Sequence, residues 1–112
     1  MTGPAYYPER GHAVWLDSNP RAGYEQGGRR PALVLSPGAY NRRVGLALVC
    51  PITSRVKGYP FEVAVPIGLP VKGVVLADQT RSLDWRARRA EFICALPDSA
   101  VRDVLGKVRT LL

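Results

Sequence analysis

The chain has 112 residues, enough for one domain with one core, and its apolar share of 46% is that of a folded protein. Sixteen Lys and Arg against nine Asp and Glu leave a net charge of +7, which points to an anionic partner, nucleic acid first. No apolar run reaches the roughly 20 residues that cross a bilayer, and Met1–Arg10 lacks the apolar stretch of a secretion signal, so a cytoplasmic protein with no membrane segment is expected.

The first predicted strand is His12–Leu16, with Val14 and Leu16 on one face and Trp15 on the other. Asp17–Arg30 reads as a long polar loop, of a length that is functional or mobile inside a small domain. Ala32–Ser36 and Leu46–Cys50 are nearly all apolar and read as buried strands, with a turn over Pro37–Arg43 between them. A second polar loop, Pro51–Lys57, precedes strands at Phe61–Val65 and Val74–Ala77, separated by a Pro- and Gly-punctuated turn at Pro66–Pro70. A last strand covers Glu91–Leu96. Val101, Val104, Leu105, Val108, Leu111 and Leu112 then repeat at helical spacing behind Pro97-Asp98-Ser99, a suitable helix start. Short strands with one terminal helix and short helical turns imply a single, mostly β domain over residues 1–112, its sheet bent into a closed or half-closed small barrel.

Cys50 and Cys94 each sit in an apolar, strand-like run and read as buried free thiols. Two thiols and one histidine make no zinc pattern, and the scattered carboxylates make no two-metal pattern, so neither metal nor cofactor is expected. His12 stands alone, which excludes a two-histidine ribonuclease and makes it a strand-edge residue before a catalyst.

What remains is arginine plus hydroxyl. Pro31 fixes its own backbone and pushes Arg30 toward an extended conformation, aiming a permanently charged fork from the edge of a buried strand. Thr53 and Ser54 follow the neighbouring strand. If the two strands pair, their loops converge at one end of the sheet. Such a pair suits cleavage of RNA through its own 2′-hydroxyl, since the substrate then supplies the nucleophile. Glu25 is either a proton acceptor or an anchor for a nearby arginine. Candidates for RNA contact are Trp15, Asp17, Gln26, Arg29, Asn41, Ser54, Lys57, Gln79, Arg81 and Arg86, with Tyr59 a further stacking candidate. Core packing is as good a reading for Trp15 and Trp85, and a solvated face for the Arg86-to-Arg89 charge run.

Glu25-Gln26-Gly27-Gly28-Arg29-Arg30-Pro31 resembles the loop motif of the MazF/PemK toxins. The resemblance continues in order through Val34-Leu35-Ser36-Pro37, Tyr40-Asn41, Cys50-Pro51-Ile52-Thr53-Ser54, Lys57-Gly58-Tyr59-Pro60-Phe61-Glu62-Val63, Val75-Leu76-Ala77-Asp78-Gln79 and Trp85-Arg86-Ala87-Arg88. It implies an SH3-like or CcdB-like barrel acting as a homodimer. The implied activity is a sequence-specific, metal-independent endoribonuclease that cuts single-stranded mRNA, leaves 2′,3′-cyclic phosphate and 5′-hydroxyl ends, and arrests translation and growth. By the same resemblance Arg30 and Thr53 are the catalytic pair, Glu25 supports them, and a MazE-like antitoxin covers the groove with an acidic tail. A gyrase-poisoning toxin of the CcdB kind and a silent RNA-binding module are the alternatives. Arg29 beside Arg30, and the apolar Pro66–Val71 turn, depart from the family pattern.

Overall fold

Side chains alternate across a strand, so antiparallel register fixes which residues share a face. In the computed structural model, which describes residues 5–18 and 28–112, seven strands form one antiparallel sheet. In chain order they are β1 (His12–Asp17), β2 (Arg29–Val34), β3 (Leu46–Thr53), β4 (Glu62–Ala64), β5 (Val74–Leu76), β6 (Arg81–Asp84) and β7 (Glu91–Ala95). Helix α1 (Gly38–Val44) joins β2 to β3, a 3-10 turn (Ala77–Gln79) joins β5 to β6, and α2 (Asp98–Arg109) ends the fold. The sheet order is β4-β5-β3-β2-β1-β7, with β6 also on β3.

Each face carries its own core. Ala13, Leu33 and Cys50 stand in register across β1, β2 and β3, all fully buried, and α2 lays Ala100, Val101 and Val104 on that face. The opposite face buries Val14, Ala32, Val34, Val49, Leu83 and Trp85, with Tyr6 and Tyr7 packed against them. Full burial of a Val or Leu side chain is worth about 1.5–3 kcal/mol, so these two layers hold the sheet together.

The mostly β architecture and the terminal helix are as expected; both cysteines are free thiols, Cys50 buried as expected and Cys94 only half-buried. The barrel is not closed. Among the described residues no ladder joins β4 to β7, and α2 packs on β4 and the 3-10 turn, so a helix completes the side that a closing strand would. Pro37–Arg43 is a helix rather than a turn, capped by left-handed Gly45 donating its N–H to the Asn41 carbonyl. β6 escaped the sequence pattern because only Leu83 of its four residues is buried.

Asn41 corrects an expectation. It is fully buried, and its side chain cannot meet RNA. Its Nδ2 donates to the carbonyls of Pro8 (2.9 Å) and Ser36 (3.0 Å), and its Oδ1 accepts from the Ser36 hydroxyl. Ser36 Oγ in turn accepts the Leu48 N–H at 2.9 Å, and Trp85 Nε1 donates to the Asn41 carbonyl at 2.8 Å. This buried polar knot ties the N-terminal segment, α1 and the β6–β7 turn to the sheet. Asn41→Ala strands buried carbonyls and a hydroxyl. It should cost about 3 kcal/mol in urea unfolding; a loss below about 1 kcal/mol would contradict this role.

Candidate active site

Proline cannot donate to a ladder. The β2–β3 pairing ends at Ala32–Pro51, with Pro31 the next residue of β2, and beyond it β3 turns to β5, Ile52 facing Val75 and Thr53 facing Val74. Two prolines therefore sit where β2 and β3 part. Arg30 lies two residues beyond the last pair on β2, and Thr53 two residues beyond it on β3, where it pairs with Val74 of β5.

A cleft of about 200 Å³ opens at the parting, on the face that carries Ala32 and Val49. Leu16, Ala32, Val49, Pro51 and Leu83 form an apolar floor, and Arg30, Gln79, Arg81 and Arg88 stand around it. β6 supplies Arg81, opposite Val49, and the 3-10 turn supplies Gln79. Arg30 is exposed, and among the described residues its guanidinium has no ion-pair partner. Thr53 does not line the cleft. It is half-buried just past Pro51, and its Oγ1 accepts the Arg55 N–H at 3.1 Å, which leaves its own O–H to donate outward.

Arg29 and Arg30 have different tasks. Strand alternation puts Arg29 on the other face, opposite Asp17. Its Nη1 pairs with Asp17 Oδ1 at 2.6 Å, and its Nη2 donates to the Arg89 carbonyl (2.7 Å) and Glu91 Oε1 (3.2 Å). Arg89, in the left-handed region at φ 52°, adds its Nε to Asp17 Oδ2 at 2.8 Å. Asp17 and Arg29 are thus an ion-pair staple at the root of the glycine-rich loop. The hydrogen bond from Arg89, then that from Arg29, holds the Asp17 carboxyl below its ordinary value of 3.8. Arg88 closes the same root by donating to the carbonyls of Asp17 (3.1 Å) and Ser18 (2.8 Å), while Ser18 donates its N–H to Gly28 (3.0 Å).

Of the other sequence candidates, Glu25 and Gln26 lie outside the described residues. Trp15 is 37% exposed but on the face away from the cleft floor. Ser54 and Lys57 are exposed in the loop after β3, which Glu62 pins by accepting the N–H groups of Lys57, Gly58 and Tyr59. The Tyr59 hydroxyl bonds to the Asp78 carboxylate. Arg86 stacks on Trp85, 4.7 Å from its ring centre, outside the cleft. His12 sits apart from the cleft, its Nδ1 bonded to Tyr6 and to the Glu9 N–H, and burial lowers its pKa.

Gly73 was not singled out from the sequence, though a glycine heading a Val-rich strand is a signal of close backbone approach. Its φ is +110°, and a Cβ there would stand 2.0 Å from the Thr53 carbonyl oxygen. The glycine lets β5 close on the residue that holds the hydroxyl. Among the described residues, no three of His, Cys, Asp and Glu cluster as a metal site, and no helix is long and apolar enough to cross a membrane.

Comparison with known proteins bears on this arrangement. Residues 9–112 match the family described as PemK-like, MazF-like toxin of type II toxin-antitoxin system. The chain is 42% identical over 107 residues to the endoribonuclease toxin MazF of Escherichia coli, covering 96% of each. A crystal structure of MazF from Deinococcus radiodurans superposes with a TM-score of 0.86 at 60% identity, covering 96% of this chain and 97% of that one. A MazE–MazF complex from the same organism gives 0.86 at 55% identity, with 96% of each chain covered.

Two outcomes follow from the staple and the glycine. The depressed Asp17 carboxyl contributes stability above its unfolded value and loses it as pH falls through the lower folded value. The Tm gap between wild type and Asp17→Asn should therefore be widest near neutrality and close below about pH 4; a gap independent of pH would refute the staple. Gly73→Ala should cost about 1–3 kcal/mol in stability and displace Thr53, read as altered amide shifts at Thr53 and Arg55; an unperturbed Thr53 would contradict the close approach.

Proposed function

The chain belongs to the PemK-like, MazF-like toxins of type II toxin–antitoxin systems, and from that premise we propose that it is an endoribonuclease toxin that cuts single-stranded mRNA without a metal ion. The observation that carries the reading is the exposed Arg30 guanidinium, without an ion-pair partner among the described residues, at the cleft that opens where β2 and β3 separate.

The chemistry suits these residues. The RNA 2′-oxygen attacks the adjacent phosphorus, a P–O bond to the 2′-oxygen forms, and the bond to the 5′-oxygen breaks. The products carry a 2′,3′-cyclic phosphate and, once the leaving oxygen takes a proton, a 5′-hydroxyl. Arg30 meets the charge that accumulates on the non-bridging oxygens. Thr53 donates to one of those oxygens. Glu25 is the candidate to receive the 2′-proton. The apolar floor takes a base edge-on or flat, while Gln79 and Arg81 supply polar contacts at its margin. Ser54 and Lys57 on the following loop extend the phosphate contacts. The active form is a homodimer in the cytoplasm, a MazE-like antitoxin restrains it, and release arrests translation and growth.

Purified protein should cut single-stranded RNA in EDTA at a defined sequence. Fragment 3′ ends should resist ligation until a phosphatase that opens cyclic phosphates has acted. Arg30→Ala should lower kcat by about 10²–10³, and Thr53→Val by a similar factor. RNA left whole in EDTA, or cut equally by Arg30→Ala, would overturn the proposal.

A further inference from the structure

The turn between β6 and β7 separates two depressions. Arg88 lines the cleft that holds Arg30, whereas its neighbour Arg89 lines a second, open groove of about 760 Å³. Tyr7, Trp85, Arg42 and Arg86 line the same groove, which meets, at Arg42, a further open hollow of about 740 Å³ carrying Tyr40 and Arg43.

Rings and guanidinium groups alternate there. Arg42 lies over Tyr7, 5.5 Å from the ring centre, and Arg86 over Trp85 at 4.7 Å. The Trp85 indole is fixed by its bond to the Asn41 carbonyl, and Arg86 Nη2 reaches the Arg42 carbonyl at 3.4 Å. Stacking occupies the flat face of a guanidinium and leaves its N–H edge for an anion. Among the described residues, none of Arg42, Arg43 and Arg86 has an ion pair, and Asp84 of the same turn accepts the N–H groups of Arg86 and Ala87. Trp85 is a core residue and Tyr7 packs on the same cluster, so these rings hold the guanidinium groups rather than stack bases, and what the groove offers an anionic strand is a row of uncompensated cations.

We infer that this groove is a second RNA-binding site, which grips the single strand flanking the scission site after it has crossed the β6–β7 turn. The inference rests on the RNA-cleaving reading above but concerns residues outside the cleft. Arg42 and Arg43 each take one phosphate. The groove raises affinity for long RNA and leaves the chemical step alone.

Two RNAs with the same cut site test this, one confined to the bases around the cut and one extended on both sides. The double variant Arg42→Gln/Arg43→Gln changes only exposed side chains in the last turn of α1. It should raise KM for the extended RNA at least about fivefold with little change in kcat, and raise KM for the short RNA less than about twofold. The salt slope of binding to the extended RNA should fall by about 1.4, from two phosphates at about 0.7 each. Arg42→Lys/Arg43→Lys should restore the slope. Equal effects on the two RNAs, or none on the extended one, would overturn the inference. So would a variant that binds a polyglutamate peptide more weakly but RNA as before, since the groove would then be a peptide surface. If wild type cuts neither RNA, the cleavage reading falls by itself, and fluorescence anisotropy on the uncut extended RNA decides this one: equal affinity of wild type and double variant overturns it.

Discussion

One missing amide hydrogen shapes this molecule's site. The Leu35 N–H donates to the Leu48 carbonyl, so odd-numbered residues of β2 turn their amides toward β3, and Pro31, the next such residue past the end of the ladder, has no N–H to donate. The strands part, β3 turns to β5, and the face between them opens into a cleft. Just past the parting stand Arg30 on β2, at the cleft, and Thr53 on β3, paired with Val74 of β5. A guanidinium and a hydroxyl thus come from rigid strands rather than from the tip of a loop. Gly73, with no Cβ to strike the Thr53 carbonyl, allows the closest version of that arrangement.

Electrostatics then divides the arginines. Arg29, Arg88 and Arg89 are committed to carboxylates and carbonyls at the base of the glycine-rich loop. Arg30 and Arg81 face the cleft, and Arg42 and Arg86 lie on aromatic rings outside it. Surface ion pairs contribute little stability one by one, but the Asp17 network fixes the geometry of a loop root on both sides of the sheet. The excess charge of +7 is therefore distributed, with part of it spent on architecture and the remainder presented to an anion.

The strands with apolar cores were legible from residue type: β1, β5 and β7 lie where the sequence predicts them, whereas β3 runs on to Thr53, through residues expected in a polar loop. Val101 and Val104 of the expected helical stripe are buried, but α2 ends at Arg109, and Leu111 and Leu112 lie exposed beyond it. β2 begins earlier than expected, at Arg29, because a polar edge residue can pair with β1 without being apolar. β6 was illegible for the converse reason, a single buried Leu83 showing no alternation. α1 is seven residues long, too short for helical periodicity to appear, and it is held by the buried Asn41 rather than by an apolar stripe. The place of Arg30 ahead of Pro31 at the edge of a buried strand was readable, although Arg30 and Thr53 stand in strands where loops were expected. The separate duty of Arg29 was not, because its partners Arg89 and Glu91 are remote in sequence and meet it only once β7 pairs with β1.

The account depends on Arg30 and Thr53 acting on one phosphate, and a double-mutant cycle measures that directly. Single-turnover cleavage rates of wild type, Arg30→Ala, Thr53→Val and the double variant give the coupling between the two side chains. Groups that stabilise the same transition state as a unit are strongly non-additive. The double variant should therefore cut little more slowly than the slower single variant. Losses that simply multiply would place the two groups at independent tasks and contradict the central claim.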